Sequence, residues 1–522
     1  MQQCYGKMRT STSRKLKPIV MRKLFLFLFI SVFFSCKKEE VTIPLENTVN
    51  EDLASYQEIA SINLGGLGSA EITTFDPATN RLFAVNNGAT NKIDVIDMSN
   101  PASIKIINSI SMQPYGGYVN SVDVKNGLLA AAIESTNKQA PGKVVVFNTK
   151  TLKELASVTV GALPDMVVFS PDGKFILSAN EGEPNDAYTT DPAGSVSIIN
   201  VDNNFTVTTF DFAGFSTQLS ALSANGFRVF GPGKNFVNDI EPEYITVSND
   251  SKTAWVTLQE NNAIAEIDIL SATIKKIMPL GFKDYSAAGN AFDLSDKDGT
   301  VAFKNAPVFG TFMPDAISSC NYNGTTYLFT ANEGDAREYP GFAEVKRLGT
   351  VVLDPVAFPT AATLKTDAQL GRLNITTTLG DKDGDGDFDA LYSFGARSFS
   401  VWNALTGALV WDSKNELDVK CNELGVYDDT RSDDKGAEPE AVTIGRVGSR
   451  TVAFIGMERA DAFAVYDVTD PTKPTFIKIF KTGDAPEGLL FIPASKSPIG
   501  QSLVVVSSEN DGLVKIYKAN KL

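Results

Sequence analysis

Residues 164–210 decide the fold class, because they contain four short apolar segments separated by turn-forming residues. PDMVVFS (164–170) passes through the turn PDGK (171–174) to FILSANEG (175–182). After a polar loop, GSVSIINV (194–201) leads through a second turn to FTVTTF (205–210). Each segment has the length and the β-branched and aromatic content of a strand. Four such strands in succession predict an antiparallel meander.

This unit recurs seven times along the chain. Its last copy stops after three strands, at LVKIYKANKL (513–522), whereas YQEIASINL (56–64) precedes the first copy without a partner. A radial array of sheets closes when such a strand completes the last sheet. The sequence therefore predicts an all-β, seven-bladed β-propeller over residues 56–522. A tandem of unrelated β-sandwiches is the alternative, but it would not leave one orphan strand and a three-stranded remainder.

The N-terminal region reads as a targeting segment. MRKLFLFLFISVFFSC (21–36) has two basic residues, an apolar run from Leu24 to Phe34, and Ser35 before Cys36. The apolar run is too short to span a membrane, so we interpret residues 1–35 as a leader and lipoprotein signal peptide with the true start at Met21. Cys36 would carry lipid, and residues 36–55 would be an anchor linker. An ordinary secretory signal cleaved elsewhere is the alternative.

Composition excludes several kinds of chemistry. The 522 residues include no histidine, which rules out Ser-His-Asp and Cys-His nucleophile pairs and histidine-based zinc sites. Without residues 1–35, the chain has 40 basic and 62 acidic residues, a formal charge of −22. Such a chain should attract cations and avoid nucleic acid. Cys320 and Cys421 are too few for a disulfide framework, and the sequence leaves open whether they pair.

Acidic residues recur at two positions of the repeat. Because the start of one strand and the end of the next lie at the same edge of a meander, we expect both sets around one mouth of the channel. Many like charges there raise one another's pKa unless cations neutralise them. The alternative is that these acids only cap turns. The first strands begin at Glu71, Asp123, Asp165, Glu243, Asp315, Glu440 and Glu487, and the second strands end at Glu134, Glu181, Glu260, Glu333, Glu458 and Glu509.

Long insertions fall on the same predicted face, which is the usual layout of a binding surface. Arg337, Arg459 and Lys346 lie in its loops and could pair with the acids. The insertions are residues 182–193, about 213–242, about 282–312, 335–390 and about 413–438.

The largest insertion contains DKDGDGDFD (381–389). Asp381, Asp383, Asp385 and Asp389 occupy positions 1, 3, 5 and 9 of a Ca²⁺ loop, with Gly386 at position 6. Asp387 would offer its backbone carbonyl. Position 12 is Tyr392 rather than Glu, so a further ligand must come from elsewhere or the site is weak. A solvated Asp/Gly turn is the alternative.

Several long motifs resemble the choice-of-anchor I family. They include SAEITTFDPATNRLFAVNNG (69–88), LPDMVVFSPDGKFILSANEGEPND (163–186), MPDAISSCNYNGTTYLFTANEGDAREY (313–339) and GAEPEAVTIGRVGSRTVAFIGMERADAFAVYDV (436–468). The resemblance covers nearly all of residues 56–522. It implies a secreted or surface-anchored propeller, here a bacterial lipoprotein.

These observations favour a non-enzymatic surface lipoprotein, exported to the bacterial outer membrane or cell surface. It would bind Ca²⁺ and a ligand or surface partner through its acidic face. We expect divalent cations as partners, membrane contact through the lipid alone, no organic cofactor, and a monomer. The alternative is a calcium-dependent phosphoesterase, in which rim carboxylates hold metal and Arg337 or Arg459 steadies phosphate. A third hypothesis is a protein-binding scaffold whose acids only aid solubility.

Overall fold

The computed structural model describes residues 49–522, which fold mainly as short antiparallel β-strands. The predicted signal peptide, the start at Met21, Cys36 and most of the linker lie outside these residues. Seven four-stranded sheets dominate the fold. In the described residues no helix is long and apolar enough to cross a bilayer.

The first strand of the chain and the first three sheets are regular. They comprise β1 (Glu51–Asn63); sheet 1, with β2 (Thr73–Asp76), β3 (Arg81–Asn86), β4 (Lys92–Asp97) and β5 (Lys105–Ser111); sheet 2, with β6 (Val119–Lys125), β7 (Leu128–Ile133), β8 (Pro141–Asn148) and β9 (Glu154–Ala162); and sheet 3, with β10 (Pro164–Phe169), β11 (Phe175–Asn180), β12 (Ser195–Asn200) and β13 (Thr206–Asp211).

Sheets 4 and 5 are separated and interrupted by insertions. Helix α1 (Leu219–Ser223) precedes sheet 4, which contains β14 (Pro242–Val247), β15 (Thr253–Leu258), β16 (Ala263–Asp268) and β17 (Thr273–Pro279). A first insertion then contains β18 (Phe282–Asp284), β19 (Phe292–Asp293), β20 (Phe303–Lys304) and β21 (Phe309–Thr311). The chain continues with β22 (Ile317–Tyr322) and β23 (Thr325–Ala331), then the inserted elements β24 (Glu338–Tyr339), β25 (Phe342–Ala343), β26 (Val345–Arg347), α2 (Ala361–Leu364), β27 (Asn374–Thr376) and β28 (Tyr392–Ser393), and finally β29 (Phe399–Asn403) and β30 (Leu409–Asp412). Sheet 5 has the strand order β22, β23, β29, β30.

The last two sheets follow a short helix. The elements are α3 (Glu416–Leu424); sheet 6, with β31 (Pro439–Val447), β32 (Arg450–Met457), β33 (Ala462–Asp467) and β34 (Thr475–Lys481); and sheet 7, with β35 (Pro486–Ile492), β36 (Leu503–Ser508) and β37 (Leu513–Lys521). Four 3₁₀ turns complete the assignment, at Ala213–Gln218, Leu348–Thr350, Asp429–Arg431 and Glu458–Ala460.

Strand β1 is the fourth strand of sheet 7, where it pairs antiparallel with β37 from Glu51↔Lys521 to Asn63↔Leu513. It begins five residues before the predicted boundary at residue 56. The segment EDLAS (51–55) lacks the alternation of apolar and polar residues that predicts a strand. Its first two residues nevertheless pair with β37, and the pairing resumes at Gln57 after a register shift. The buried Glu51 carboxylate also accepts a hydrogen bond from the Ser502 N–H (2.8 Å).

The sheets pack face to face. A separate apolar cluster lies between each sheet and the next, and another lies between sheet 7 and sheet 1. Inner strands such as β36 are buried on both faces, which accounts for their continuous apolar sequences, whereas the outer strand β13 is largely exposed. The first strands of neighbouring sheets contact one another, including β2 and β35. The fold is of the β-propeller type.

Two insertions fold together into one unit, which we call the insertion subdomain (residues 282–312 and 344–393). It has its own apolar core, which includes Tyr285, Phe292, Leu373 and Phe388. Its strands are two or three residues long, and β21 pairs with β28 in parallel. The buried Lys283 ammonium joins the subdomain to sheet 5 through Asp412 (3.1 Å).

Candidate functional site

The acidic first-strand residues are positioned by β-bulges. In sheet 3, Pro164 pairs with Asn180 and Met166 with Ala179, which leaves Asp165 as the extra residue. Corresponding register shifts follow the first-strand prolines of sheets 4, 6 and 7. A bulge redirects the side chain it carries. Asp165 and Glu487, which lie at such bulges, line a common cavity together with Asp315.

That cavity lies where the first strands begin and has a volume of about 70 Å³. It is lined by residues in or just before the first strands of all seven sheets, among them Asn120, Asp165, Tyr244, Asp315 and Glu487. We call the acids at this strand position the inner ring, comprising Glu71, Asp165, Glu243, Asp315, Glu440 and Glu487.

Sheet 2 contributes an amide to this ring in place of a carboxylate. The sequence predicted Asp123 as the first-strand acid, but β6 starts at Val119 and its bulge falls on Asn120. Asp123 lies three residues further along β6, where its carboxylate accepts hydrogen bonds from the N–H groups of Phe169 and Val124 (2.7 Å each). The prediction was wrong by register, because β6 lacks the proline that marks the other starts.

Burial and mutual repulsion raise the pKa values of the inner ring. Burial, and then the charge of Glu509, raises the pKa of Glu71 to about 8, and burial followed by the charge of Glu183 raises that of Asp165 to about 6. For Glu243, burial followed by the charges of Glu260 and Asp315 raises the pKa well above its ordinary value. Carboxylates in such surroundings ionise only with difficulty unless a cation joins them.

Several of these carboxylates have a buried oxygen without a hydrogen-bond partner. Glu243 is 7% exposed, Glu260 is 6% exposed, and each has an unpartnered Oε2. The Oε2 atoms of Glu440 and Glu487 are also buried and unpartnered. Buried polar atoms are normally satisfied, so these orphaned oxygens are evidence for ligands beyond the chain.

We call the polar residues at the ends of the second strands the outer ring. They lie one or two residues after the last residue of each second strand, and they are Asn87, Glu134, Glu181, Gln259, Glu333, Glu458 and Glu509. In sheet 4, Leu258 pairs with Pro242, so Gln259 occupies the position for which Glu260 was predicted. Glu260 lies one residue further on, where burial and the charge of Glu241 raise its pKa.

Three acids from the two rings come together between sheets 5 and 6. One carboxylate oxygen each from Asp315, Glu333 and Glu440 lies within 4.8 Å of the other two. Glu333 also accepts a hydrogen bond from the Gln259 amide (2.8 Å) and lies 3.2 Å from the Lys435 ammonium. We call Asp315, Glu333 and Glu440 the carboxylate triad.

The two predicted anion-pairing arginines both bind carboxylates of the chain. Arg337 is fully buried, with Nη1 2.6 Å from Asp239 and Nη2 2.8 Å from Glu241. Arg459 lies 2.6 Å from both Glu438 and the predicted rim residue Glu458. Both guanidinium groups are thereby engaged with acids of the acidic face.

The predicted calcium loop divides into two carboxylate groups. Oxygens of Asp381, Asp383 and Asp385 lie together and are exposed, whereas Asp387 and Asp389 lie with Asp354. Asp381 accepts hydrogen bonds from the N–H groups of Gly384 (2.7 Å) and Gly386 (3.1 Å). Gly386 has φ +98°, which agrees with its predicted role in the turn.

Asp354 was not predicted as a member of this group. It directly follows Leu353, which forms a parallel β-bridge with Phe388 and so holds this segment beside the loop. Tyr392 belongs to β28 and stacks on Phe309, which explains why this position carries no acid.

A known protein family matches most of this architecture. The sequence profile of the choice-of-anchor I domain matches residues 71–471. The chain belongs to the choice-of-anchor I family. The match covers sheets 1 to 5 and most of sheet 6, and therefore includes the carboxylate triad and the insertion subdomain.

Two relatives of this choice-of-anchor I protein are similar to it over part of their length. Gigasin-3a of Magallana gigas is 30% identical over 190 residues, which is 30% of this chain and 66% of the relative. The mesenchyme-specific cell surface glycoprotein of Strongylocentrotus purpuratus is 26% identical over 298 residues, 48% of this chain and 38% of the relative. The chain thus spans less than two thirds of either relative.

Solved structures similar to this choice-of-anchor I protein are distant in sequence. Kuenenia stuttgartiensis hydrazine synthase aligns with a TM-score of 0.49 and 12% identity over 87% of this chain and 97% of that one. The β-propeller domain of Myceliophteria thermophila Cps50 (Swd1) aligns with a TM-score of 0.45 and 7% identity over 89% of this chain and 100% of that one.

Several acids of this choice-of-anchor I site escaped the sequence analysis. Glu241 and Glu438 both precede an inner-ring residue by two positions, in the repeated tripeptide Glu-Pro-Glu. Both are buried, and they anchor Arg337 and Arg459 respectively. The tripeptide was visible in the sequence and would have identified them. Cys320 and Cys421 are free thiols.

Proposed function

We propose that this protein is a surface-associated, seven-bladed β-propeller whose acidic mouth binds hard divalent cations, Ca²⁺ above all. The observation that carries the proposal is the inner ring, in which Asp165, Asp315 and Glu487 line one cavity. Glu487, and also Glu243 and Glu440 at the same strand position, each have a buried carboxylate oxygen without a hydrogen-bond partner. Hard cations with oxygen ligands suit such a site, whereas zinc and copper prefer ligands that it lacks.

Contacts between sheet 7 and sheet 1 support a closed ring, in which the acids would converge on one axis. Apolar clusters lie between all successive sheets and between sheets 7 and 1. The Gly68 N–H before sheet 1 donates to the Glu509 carbonyl of sheet 7 (3.1 Å), and the Leu64 N–H donates to the Gly512 carbonyl (2.8 Å). We take the seven sheets as the seven blades and β1 as the strand that closes the ring.

Charge balance supports cation binding at the mouth. The basic groups that ion-pair with acids there, Lys138, Arg337, Lys435 and Arg459, are outnumbered by the carboxylates of the two rings. Removal of water from uncompensated like charges is costly, and bound cations offset this cost. The loop at Asp381 would hold a second, more exposed Ca²⁺ on the insertion subdomain.

The surface location rests on the family and on the relative named as a cell surface glycoprotein. A lipid on Cys36 would provide the attachment, as the sequence of residues 21–36 predicts. Radiolabelled palmitate incorporation in cells, compared between the native protein and Cys36→Ser, tests that attachment directly.

Calorimetric titration of the metal-stripped protein with Ca²⁺ tests the proposed function. We expect two classes of site, one lost on combining Asp315→Asn with Glu440→Gln, the other lost on combining Asp381→Asn, Asp383→Asn and Asp385→Asn. Asp250→Asn, which changes an exposed acid in the short turn between β14 and β15, is the matched control and should leave both intact. No heat of binding at millimolar Ca²⁺ would contradict the proposal.

A further inference from the structure

The carboxylate triad has the dimensions of a single-ion site. Ca²⁺ binds oxygen at 2.3–2.6 Å, so two ligands on opposite sides of one ion are roughly 5 Å apart. The three triad oxygens lie within 4.8 Å of one another. Asp315 lies just before β22, Glu333 just after β23 and Glu440 in β31, so three separate backbone segments position the triad.

A second observation points to a ligand at the triad. The Oε2 atom of Glu440, a triad member, is buried without a hydrogen-bond partner. Glu243 on the neighbouring first strand is 7% exposed and has an unpartnered Oε2, and the charge of Asp315 helps to raise its pKa. The triad thus includes a buried carboxylate oxygen that the chain does not satisfy, as a site for an oxygen-coordinated cation requires.

Lys435 occupies the outer side of the triad. Its ammonium lies 2.8 Å from Glu438, 3.2 Å from Glu333 and 3.5 Å from Asp335. Glu333 is therefore shared, because one oxygen contacts Lys435 and the other accepts the Gln259 amide hydrogen bond. A cavity of about 210 Å³ adjoins Lys435, and the Asp335 side chain at its edge is 64% exposed.

We infer that Asp315, Glu333 and Glu440 bind one hard divalent cation, and that Lys435 is a tethered counter-ion that competes with this cation for Glu333. The inference deepens and rests on the proposed function, because it assigns one location and one regulator to the cation binding proposed there. When the ion binds, the Lys435 ammonium keeps Glu438 and Asp335 as partners and has the adjoining cavity to move into.

Competition between Lys435 and the cation predicts the direction in which Ca²⁺ affinity changes when the Lys435 charge is removed. A positive charge within several ångströms of a bound cation opposes it by an amount that remains substantial in a partly solvated site. Removal of the Lys435 charge should therefore tighten Ca²⁺ binding by roughly tenfold. Lys138 provides the matched control, because it pairs with Glu183 elsewhere on the acidic face and removes the same unit charge without touching the triad.

The experiment is a Ca²⁺ titration by calorimetry in the full-length protein with the Asp381 loop neutralised by Asp381→Asn, Asp383→Asn and Asp385→Asn. We expect Lys435→Gln to lower Kd about tenfold, Lys138→Gln to change it by less than about threefold, and Asp315→Asn to raise it on the order of a hundredfold. Circular dichroism verifies that each variant is folded, and Glu440→Gln replaces Asp315→Asn if that variant is not.

Three outcomes separate the proposals. Absence of Ca²⁺ binding in every variant overturns the proposed function and this inference with it. Binding that Asp315→Asn and Glu440→Gln leave unchanged overturns the triad as the site while the proposed function stands. Equal effects of Lys435→Gln and Lys138→Gln on Kd overturn the competition, because they would show that only the net charge of the acidic face matters.

Discussion

At the scale of the residue, Glu71 shows what the ring does to stability. Its carboxyl accepts a hydrogen bond from the Asn87 amide (2.8 Å), yet burial and the charge of Glu509 raise its pKa to about 8. The unfolded chain has a glutamate pKa of about 4.3. The folded protein therefore holds this proton more tightly than the unfolded chain does. Stability from this group is present below about pH 4 and is lost as the pH rises toward 8.

Replacement of Glu71 by glutamine should remove this pH dependence. In metal-free protein, Glu71→Gln should raise the free energy of unfolding by about 2 kcal/mol at pH 8 and leave it unchanged at pH 4.5. Denaturant unfolding at both pH values measures the difference. Glu423→Gln, on the exposed face of α3, is the control. A gain of equal size at both pH values would show that the charge of Glu71 is not the cause.

The sequence predicted most of the ring at this scale, and its errors have a common origin. Where a proline precedes the acid, as at Asp165 and Glu487, the position of the acid at the start of the first strand followed from the repeat. Asp123 and Glu260 were misplaced because the sequence does not show where a bulge or the end of a strand falls. Asn120 and Gln259 take those positions, and as amides they did not match an acidic pattern.

At the scale of the element, β1 is the strand on which sheet 7 depends. Tyr56 is 5% exposed and makes edge contacts with Phe454, Phe463 and Phe480. Tyr56→Ala should therefore lower the free energy of unfolding by about 3 kcal/mol, as large core truncations do. Gln57→Ala, at the exposed neighbouring position, should change it by less than about 0.5 kcal/mol. Urea unfolding compares them, and similar values for both would mean that β1 does not fold with the sheet.

The aspartate loop is an element whose order should depend on its ion. Lys382 lies within it and is exposed, so trypsin should cut there in metal-free protein. Saturating Ca²⁺ should slow this cleavage at least about tenfold, because the bound ion reduces local opening. Cleavage after the exposed Lys234 is the internal control. Protection that persists after Asp381→Asn and Asp385→Asn would assign it to another site.

The insertion subdomain is the element that the sequence did not predict. Its strands β19, β20 and β28 are two residues long, which is too short to show an alternation of apolar and polar residues in the sequence. Its core joins Phe292 and Val308 to Leu348 and Phe388, from two segments separated by β22 and β23. Only the folded chain brings these segments together, so they read as separate loops.

At the scale of the whole molecule, Ca²⁺ bound by the acidic residues at the mouth should raise the stability of the folded protein. Ca²⁺ at one hundred times its Kd should stabilise the protein by about 2.7 kcal/mol, because it binds the folded state selectively. Thermal unfolding at pH 7.5 with and without a chelator measures this. NaCl at matched ionic strength is the control, since simple screening also weakens repulsion. An equal shift with NaCl would contradict specific binding.

The pairing of β1 with β37 joins the two ends of the described chain. During synthesis β1 is made before the strands of the seven sheets that follow it, and its partner β37 is made only after them. The β1 edge must remain unpaired while the intervening sheets form. Glu58, Gln57 and Ser61 are exposed along it, and polar edges of this kind resist pairing with other chains. Sheet 7 can therefore be completed only after β37 has been made, and until then the polar character of the β1 edge limits its pairing with other chains.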